Sequence, residues 1–326
     1  MRELVEIIEA NGGYLMRHQL NDLGHSDPSI RALVKEGVLR KVRHGTYVSH
    51  QAWLGWTETQ RHLVVTRSVL NKLGAGFAAS HGTAAAAHGF DLYGEPLDRV
   101  HLVRLDGRSG RREAGVTYHH GTTIDDDLIE VGGLLVVRGA RAVFDTCTTS
   151  GIEAGMVVTS SALHTGRVTR DELITEGQQH PHWLGARTAR LTIALSDGRL
   201  ESVGESRSLF MMWKNHVPRP DMQTKVQNHR GVVIARTDFE WIGSHHTGEF
   251  DGKVKYGRLN PYSYDPGRTI VDEKEREDRI RETGRGMTRW VWADLDPKVQ
   301  AETATRIGRG LDQSRRLYTR NATHIA

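Results

Sequence analysis

Short apolar stripes separated by glycine stops mark the first fifty residues. Leu4, Ile7 and Ile8 recur at helical spacing, and Gly12-Gly13 closes that stripe. A second short helix is predicted over residues 16–23, ended by Gly24. In Ser26-Asp27-Pro28, Asp27 can accept a bond from an orphan helical amide and Pro28 suits the first helical position. Ile30, Leu33 and Val34 form the stripe of a third helix that Gly37 stops, with Arg31 and Lys35 four apart on a different face. Residues 39–48, LRKVRHGTYV, read as two strands around a turn containing Gly45.

That order, over residues 1–52, is the layout of a winged helix-turn-helix. In such a domain the third helix, with Arg31 and Lys35, enters the major groove, and Arg40, Lys41 and Arg43 of the hairpin track phosphates. Three short helices plus a hairpin also occur in protein-interaction modules. Residues 57–177 alternate the two periodicities: helices over 58–73, 142–147 and 155–164, and strands over 99–104, 115–119 and 134–138. GRSGRREAG, residues 107–115, reads as a basic loop. His81, His88, His119 and His120 invite a metal reading, but no acid or cysteine sits at ligand spacing. In a chain with 18 histidines, chance proximity is the simpler account. A structural or partner-binding role is expected here.

The last third carries the candidate chemistry. Over residues 201–213 the stripe Leu209, Met212 and Trp213 extends back to Glu205. A carboxylate on the core side of a helix needs a metal or a basic partner, or else the first-turn dipole and water. VVIARTDFEW, residues 232–241, is a strand with Asp238 and Glu240 on one face and Phe239 and Trp241 on the other. After a turn over 243–248, the strand 249–256 puts Glu249, Asp251, Lys253 and Lys255 on one parity. If the strands pair, Asp238 lies near Glu249 and Asp251 with an amine close by. Converging carboxylates repel unless a hard cation sits among them, and oxygen-only ligation points to Mg²⁺. Solvated hairpins alternate charges in the same way. A carboxylate-held divalent ion is what phosphodiester hydrolysis needs, with a lysine to hold the attacking water. The charged helix 273–282 adds Arg276 and Arg279 as secondary phosphate contacts, and 287–295 reads as a further strand.

Charge placement sharpens the picture. The 326 residues carry a net charge of only +4 and allow two or three domains. Residues 31–44 hold five basic side chains against one acid, and residues 298–326 six against two, which suits contact with a polyanion at two places. No apolar run approaches the length of a membrane span, the acidic start MRELVEIIEANGG is unlike a signal peptide, and Cys147 alone makes no internal disulfide. A soluble, cytoplasmic, multi-domain protein is expected.

Longer motifs carry a resemblance. GGYLMRHQLNDLG and SIRALVKEGVLRKVRHGTYV look like the winged-helix domain of the AbiEi family, the antitoxin side of a type IV toxin–antitoxin system. FAASHGTAAAAHGF, GARAVFDTC and LHTGRVTRDEL are similar to the region after that domain in long actinobacterial members. ESVGES, ARTDFEW and GEFDGKVKYGR resemble the PD-(D/E)xK nuclease superfamily, near its very-short-patch-repair branch. The resemblance implies an α/β multi-domain protein: a winged helix over 1–52, a central α/β domain over 57–177, and a restriction-endonuclease-like mixed sheet flanked by helices over 198–318. It makes Glu205 the helical acid and Asp238 the first strand acid, with Thr237 where a proline often stands. The second strand acid is either Asp251, with Lys253 the motif lysine, or Glu249, with Lys253 auxiliary. Asp238, Glu249 and Asp251 would bind Mg²⁺, or Mn²⁺ in its place. DNA and a cognate nucleotidyltransferase-like toxin are the implied partners. Two functions are compatible with this: a metal-dependent DNA endonuclease, or a non-catalytic antitoxin and transcriptional autorepressor.

Overall fold

Three glycine-punctuated helices open the chain in the computed structural model, which describes residues 2–120, 125–252 and 275–318. α1 (Arg2–Ala10), α2 (Arg17–Asp22) and α3 (Asp27–Lys35) bury Leu4, Ile8, Leu20 and Ile30 together with Leu15, Leu39 and Tyr47. The last three come from an antiparallel sheet of β1 (Leu15–Met16), β2 (Leu39–Arg43) and β3 (Thr46–Ser49), in the order β1-β3-β2. Met16, expected inside the second helix, instead pairs with Thr46, a partner thirty residues away that local periodicity does not register. Ser26, not Asp27, caps α3 by accepting from the Ser29 amide; Asp27 accepts from Arg17 Nε at 2.8 Å. Ile30 is buried as its stripe predicts, whereas Val34 is exposed.

The same compact unit, residues 1–158 with 167–191, continues through α4 (His50–Gly55) and α5 (Glu58–Leu73) into a six-stranded mixed sheet. Its strands are β4 (Phe77–Ala79), β5 (Val100–Arg104), β6 (Arg111–Glu113), β7 (Val116–His119), β8 (Leu128–Val131) and β9 (Leu134–Val137), in the order β6-β7-β5-β4-β9-β8. β5 and β7 run parallel, as do β4 and β9. The alanine run belongs to α6 (His81–Ala87), whose missing side-chain bulk lets it lie close on the sheet. Part of the expected loop, Arg111–Glu113, is an edge strand with all three residues exposed, so it has no alternation to read. The thiol of Cys147 is buried within α7 (Gly139–Thr149), and α8 (Ile152–His164), α9 (Arg170–Gln179) and α10 (Ala186–Leu195) follow.

A second unit comprises residues 159–166 and 192–326. Here α11 (Val203–Lys214) precedes an antiparallel meander of β10 (Asp221–Gln227), β11 (Val233–Trp241) and β12 (His246–Asp251). Then come α12 (residues 275–282), β13 (Gly286–Val291), which joins β12 in parallel, and α13 (Gln300–Tyr318). The sheet order is β10-β11-β12-β13. β12 starts three residues earlier than expected, because His246 and Thr247 pair with Trp241 and Glu240. β13 stops at Val291, where the Asp294 side chain accepts the Val291 amide and begins a 3-10 turn. Leu209 and Met212 are buried as expected, but Trp213 is partly exposed. Among the described residues, no helix is long and apolar enough to cross a membrane.

Gly204 fixes how close α11 comes to β12. A Cβ there would lie 1.9 Å from Cε1 of Phe250, whose ring is packed edge-on against Trp292. Gly204→Ala should therefore destabilise the protein by about 1–3 kcal/mol despite the better helix propensity of alanine, seen as a lower denaturant midpoint at unchanged slope.

Candidate functional site

The first turn of α11, the middle of β11 and the end of β12 bring three acids together. Ser202 caps α11 by accepting from the Glu205 amide. The buried Glu205 carboxylate reaches back to accept from Ser202 Oγ at 2.7 Å and the Glu201 amide at 3.0 Å. It also accepts from Gln223 Nε2 at 2.8 Å. Its core-facing position is thus met by the helix's own cap and by a side chain of β10. Gln223 holds φ = +54°, a left-handed conformation that costs a non-glycine residue about 1–3 kcal/mol. No sequence signal marks Gln223, since neither its type nor its spacing is unusual.

β11 and β12 pair as far as Phe239 with Gly248, and Asp238 and Glu249 are the next residue on each strand. Asp238 Oδ2 accepts the Phe250 amide at 2.8 Å. Burial pushes the Asp238 carboxyl up to about 6, and the charges of Glu205 and Glu249 push the same way against the Phe250 amide and Arg276. Glu249, also buried, is gripped by Arg276 at 2.6 Å and by Arg289, its neighbour across β13, at 3.1 Å. Asp251 lies two residues further along β12 on the parity of Glu249. Arg279 folds back onto the Glu275 carbonyl. Lys253 and the rest of the strand expected to residue 256 lie outside the described residues.

In the same unit, Arg281, Arg289, Arg306 and Arg309 line an open cleft of about 560 Å³. Its inner wall carries His246, which bonds Ser314 and Thr288 and whose pKa burial, helped by Arg281, lowers to about 4. Part of the basic tail seen in the sequence is therefore this face of α13.

In the N-terminal segment, Arg31 and Lys35 of α3 and Lys41 of β2 are exposed. Arg40 lies over the Trp53 ring at 5.5 Å. Arg43 is half-buried and donates to the Ala114 carbonyl at 2.7 Å, so its head group is committed to the fold.

Of the four histidines singled out in the sequence, two come together. His81 and His119 meet His101, which the sequence did not single out, with ring nitrogens of all three within 4.8 Å of one another. His88 bonds the Val137 carbonyl and His120 the Arg108 carbonyl, each away from that group. Behind His81, Arg141 is fully buried. It bonds Asp145 at 2.8 Å and stacks on Trp183 at 4.4 Å.

Asp238 carries a pH signature. An unfolded Asp titrates near its ordinary value of 3.8, whereas the folded group holds its proton to about 6. The fold consequently loses stability as pH rises through that interval, and the penalty is complete above it. In metal-free buffer at pH 8, Asp238→Asn should raise stability by about 1–2 kcal/mol, and the gain should vanish below pH 4 in thermal melts.

No family model matches the chain. It is 25% identical over 258 residues, 75% of its own length, to the uncharacterized protein Rv2248 of Mycobacterium tuberculosis strain H37Rv, covering 90% of that protein. The uncharacterized protein MT2308 of strain CDC 1551 is similar to the same extent.

Proposed function

We propose that the chain is a DNA-binding protein whose C-terminal unit is a Mg²⁺- or Mn²⁺-dependent endonuclease hydrolysing DNA phosphodiester bonds. The nearness of Asp238 to Glu249, with Asp238 Oδ2 accepting from the Phe250 amide next to Glu249 and with Glu205 and Glu249 adding to its raised pKa, is the observation that carries this reading. The surrounding mixed sheet, with helices before, within and after it, agrees with the restriction-endonuclease-like resemblance. The donor chemistry suits a hard cation, with oxygen ligands only, Asp238 on β11 and Glu249 and Asp251 on β12; among the described residues only the three histidines gather ligand atoms within 4.8 Å, so the carboxylates would have to close on the ion. Asp238, Glu249 and Asp251 would hold that cation, which when bound would lower the pKa of a water and neutralise charge at phosphorus. Gln223 and Ser202 fix the Glu205 carboxylate at the cluster's edge. Arg276 and Arg289 orient Glu249, and the cleft arginines, of which Arg281 is paired with Glu277 and Arg306 with Asp294, would meet the backbone phosphates by exchanging those partners.

The N-terminal segment is read as a winged helix that presents Arg31 and Lys35 to the major groove and Lys41 to phosphate. Its helix–strand–helix–helix–hairpin order and the exposure of those three side chains support this. One observation favours a second reading: two guanidinium groups already neutralise Glu249 without a metal. Under it the chain is a non-catalytic antitoxin and autorepressor that binds operator DNA and a nucleotidyltransferase-like toxin.

Plasmid nicking separates the two. The nuclease reading expects Mg²⁺-dependent relaxation of supercoiled DNA that Asp238→Ala and Glu249→Ala abolish while DNA binding persists. Metal-independent binding with no nicking selects the second reading. Under either, Lys41→Ala should weaken binding across sequences and lower the salt slope by about 1, measured by fluorescence anisotropy from 50 to roughly 200 mM salt. An unchanged slope removes Lys41 from the interface.

A further inference from the structure

The histidine group in the first unit is assembled by topology alone. His101 on β5 and His119 on β7 lie two positions apart in a parallel register, since Val103 pairs with His119 and His101 with Thr117. Both therefore project from one face of the sheet. His81 is delivered from the opposite direction as the first residue of α6, just beyond β4, whose own partner strand is β5. The Ser80 amide donates to the His101 carbonyl at 3.0 Å, which ties the start of α6 to the strand that carries the second imidazole. His81 adopts φ = +50°, so its backbone is held in a conformation few non-glycine residues occupy.

The rings are close enough to share one ligand. His101 Nδ1 lies 3.0 Å from His119 Nε2, and the His81 and His119 rings stack with centroids 3.5 Å apart. Buried polar groups back the cluster. His81 Nδ1 is 3.1 Å from Ser80 Oγ and 3.9 Å from the buried Asp145 carboxylate, which Arg141 holds in place. Ser80 Oγ is thus the group that orients the His81 ring, and the carboxylate at 3.9 Å adds negative charge behind it, as groups around metal-binding imidazoles do.

We propose that His81, His101 and His119 form a three-histidine site for a borderline transition-metal ion of the Zn²⁺ class, with a fourth position open to water or a small anion. Three imidazoles with no thiolate match Zn²⁺, Co²⁺ or Cu²⁺ and disfavour Mg²⁺ or Ca²⁺. Binding needs no net deprotonation. Of His101 and His119, the ring that now donates to the other moves its proton to its far nitrogen, and both then offer lone pairs. The stacked His81 and His119 rings fan apart to converge on the ion. This site is separate in sequence and chemistry from the carboxylate cluster and does not depend on the nuclease reading.

The test uses the full chain, stripped with chelator and desalted, then titrated with Zn²⁺ in competition with a chromophoric chelator and separately with Co²⁺. The expected result is one Zn²⁺ per chain and the intense visible bands of tetrahedral Co²⁺. His101→Ala and His119→Ala should each weaken Zn²⁺ binding at least tenfold, Asp145→Asn about ten- to hundredfold, and His120→Ala, whose ring bonds the Arg108 carbonyl instead, not at all. Circular dichroism checks the fold of each variant. Failure to bind a stoichiometric ion overturns the proposal, as does binding that survives in folded His119→Ala. Should the histidine variants not fold, the wild-type Co²⁺ spectrum decides, and absence of tetrahedral bands rejects the site.

Discussion

The C-terminal unit depends on one register. Phe239 faces Gly248 across β11 and β12, and Trp290 of β13 occupies the space above Gly248, where a Cβ would come within 2.6 Å of the indole. Only glycine at that position lets the indole seat itself, close to Phe239 and bonded through Nε1 to Ser208 of α11. A slip of one residue would turn every side chain of β12 to the other face of the sheet. The apolar packing on one face thus sets where Asp238 and Glu249, the next residue on each strand, come to lie. The acids meet because the tryptophan has only one place to go.

Placing those acids together carries an electrostatic cost that the unit offsets in three different ways. Glu205 is solvated by its own helix cap and by Gln223. Glu249 is neutralised by Arg276 and Arg289. Asp238 has a backbone amide and remains the least compensated, so it responds by holding its proton. A divalent cation and the two arginines are alternative answers to the same repulsion.

The first unit treats buried charge differently. Arg141, Asp145, Asp127, Glu176 and Arg138 form an ion-paired network beneath the sheet, and His180 and Trp183 cover its guanidinium end. Burying this many ionic groups stabilises little by itself, because desolvation offsets most of the attraction. The network does fix orientation. Through Asp145 it reaches the histidine cluster, so that a polar network lies beside the apolar core of the sheet.

Local periodicity by itself determined the helices that bury a single stripe: α1, α3, α5 and the core-facing part of α11 follow from apolar spacing and from stops at glycine. It also determined the parity that sets Asp238 apart from Phe239 and groups Glu249 with Asp251, because alternation is a property of the strand alone. Only tertiary structure decided which strands are neighbours, and so which of these residues meet. Met16 joined a strand because of Thr46; Arg43 took the Ala114 carbonyl as its partner; Gln223 entered the acid site through a backbone conformation that no residue type announces. The histidines are the clearest case. His81, His101 and His119 stand about twenty residues apart with no recurring pattern, and they converge only because β5 and β7 run parallel while β4 delivers α6 beside them. Spacing along a chain reports what one element can do for itself; convergence of distant side chains is decided by sheet order, which depends on the packing of the whole unit.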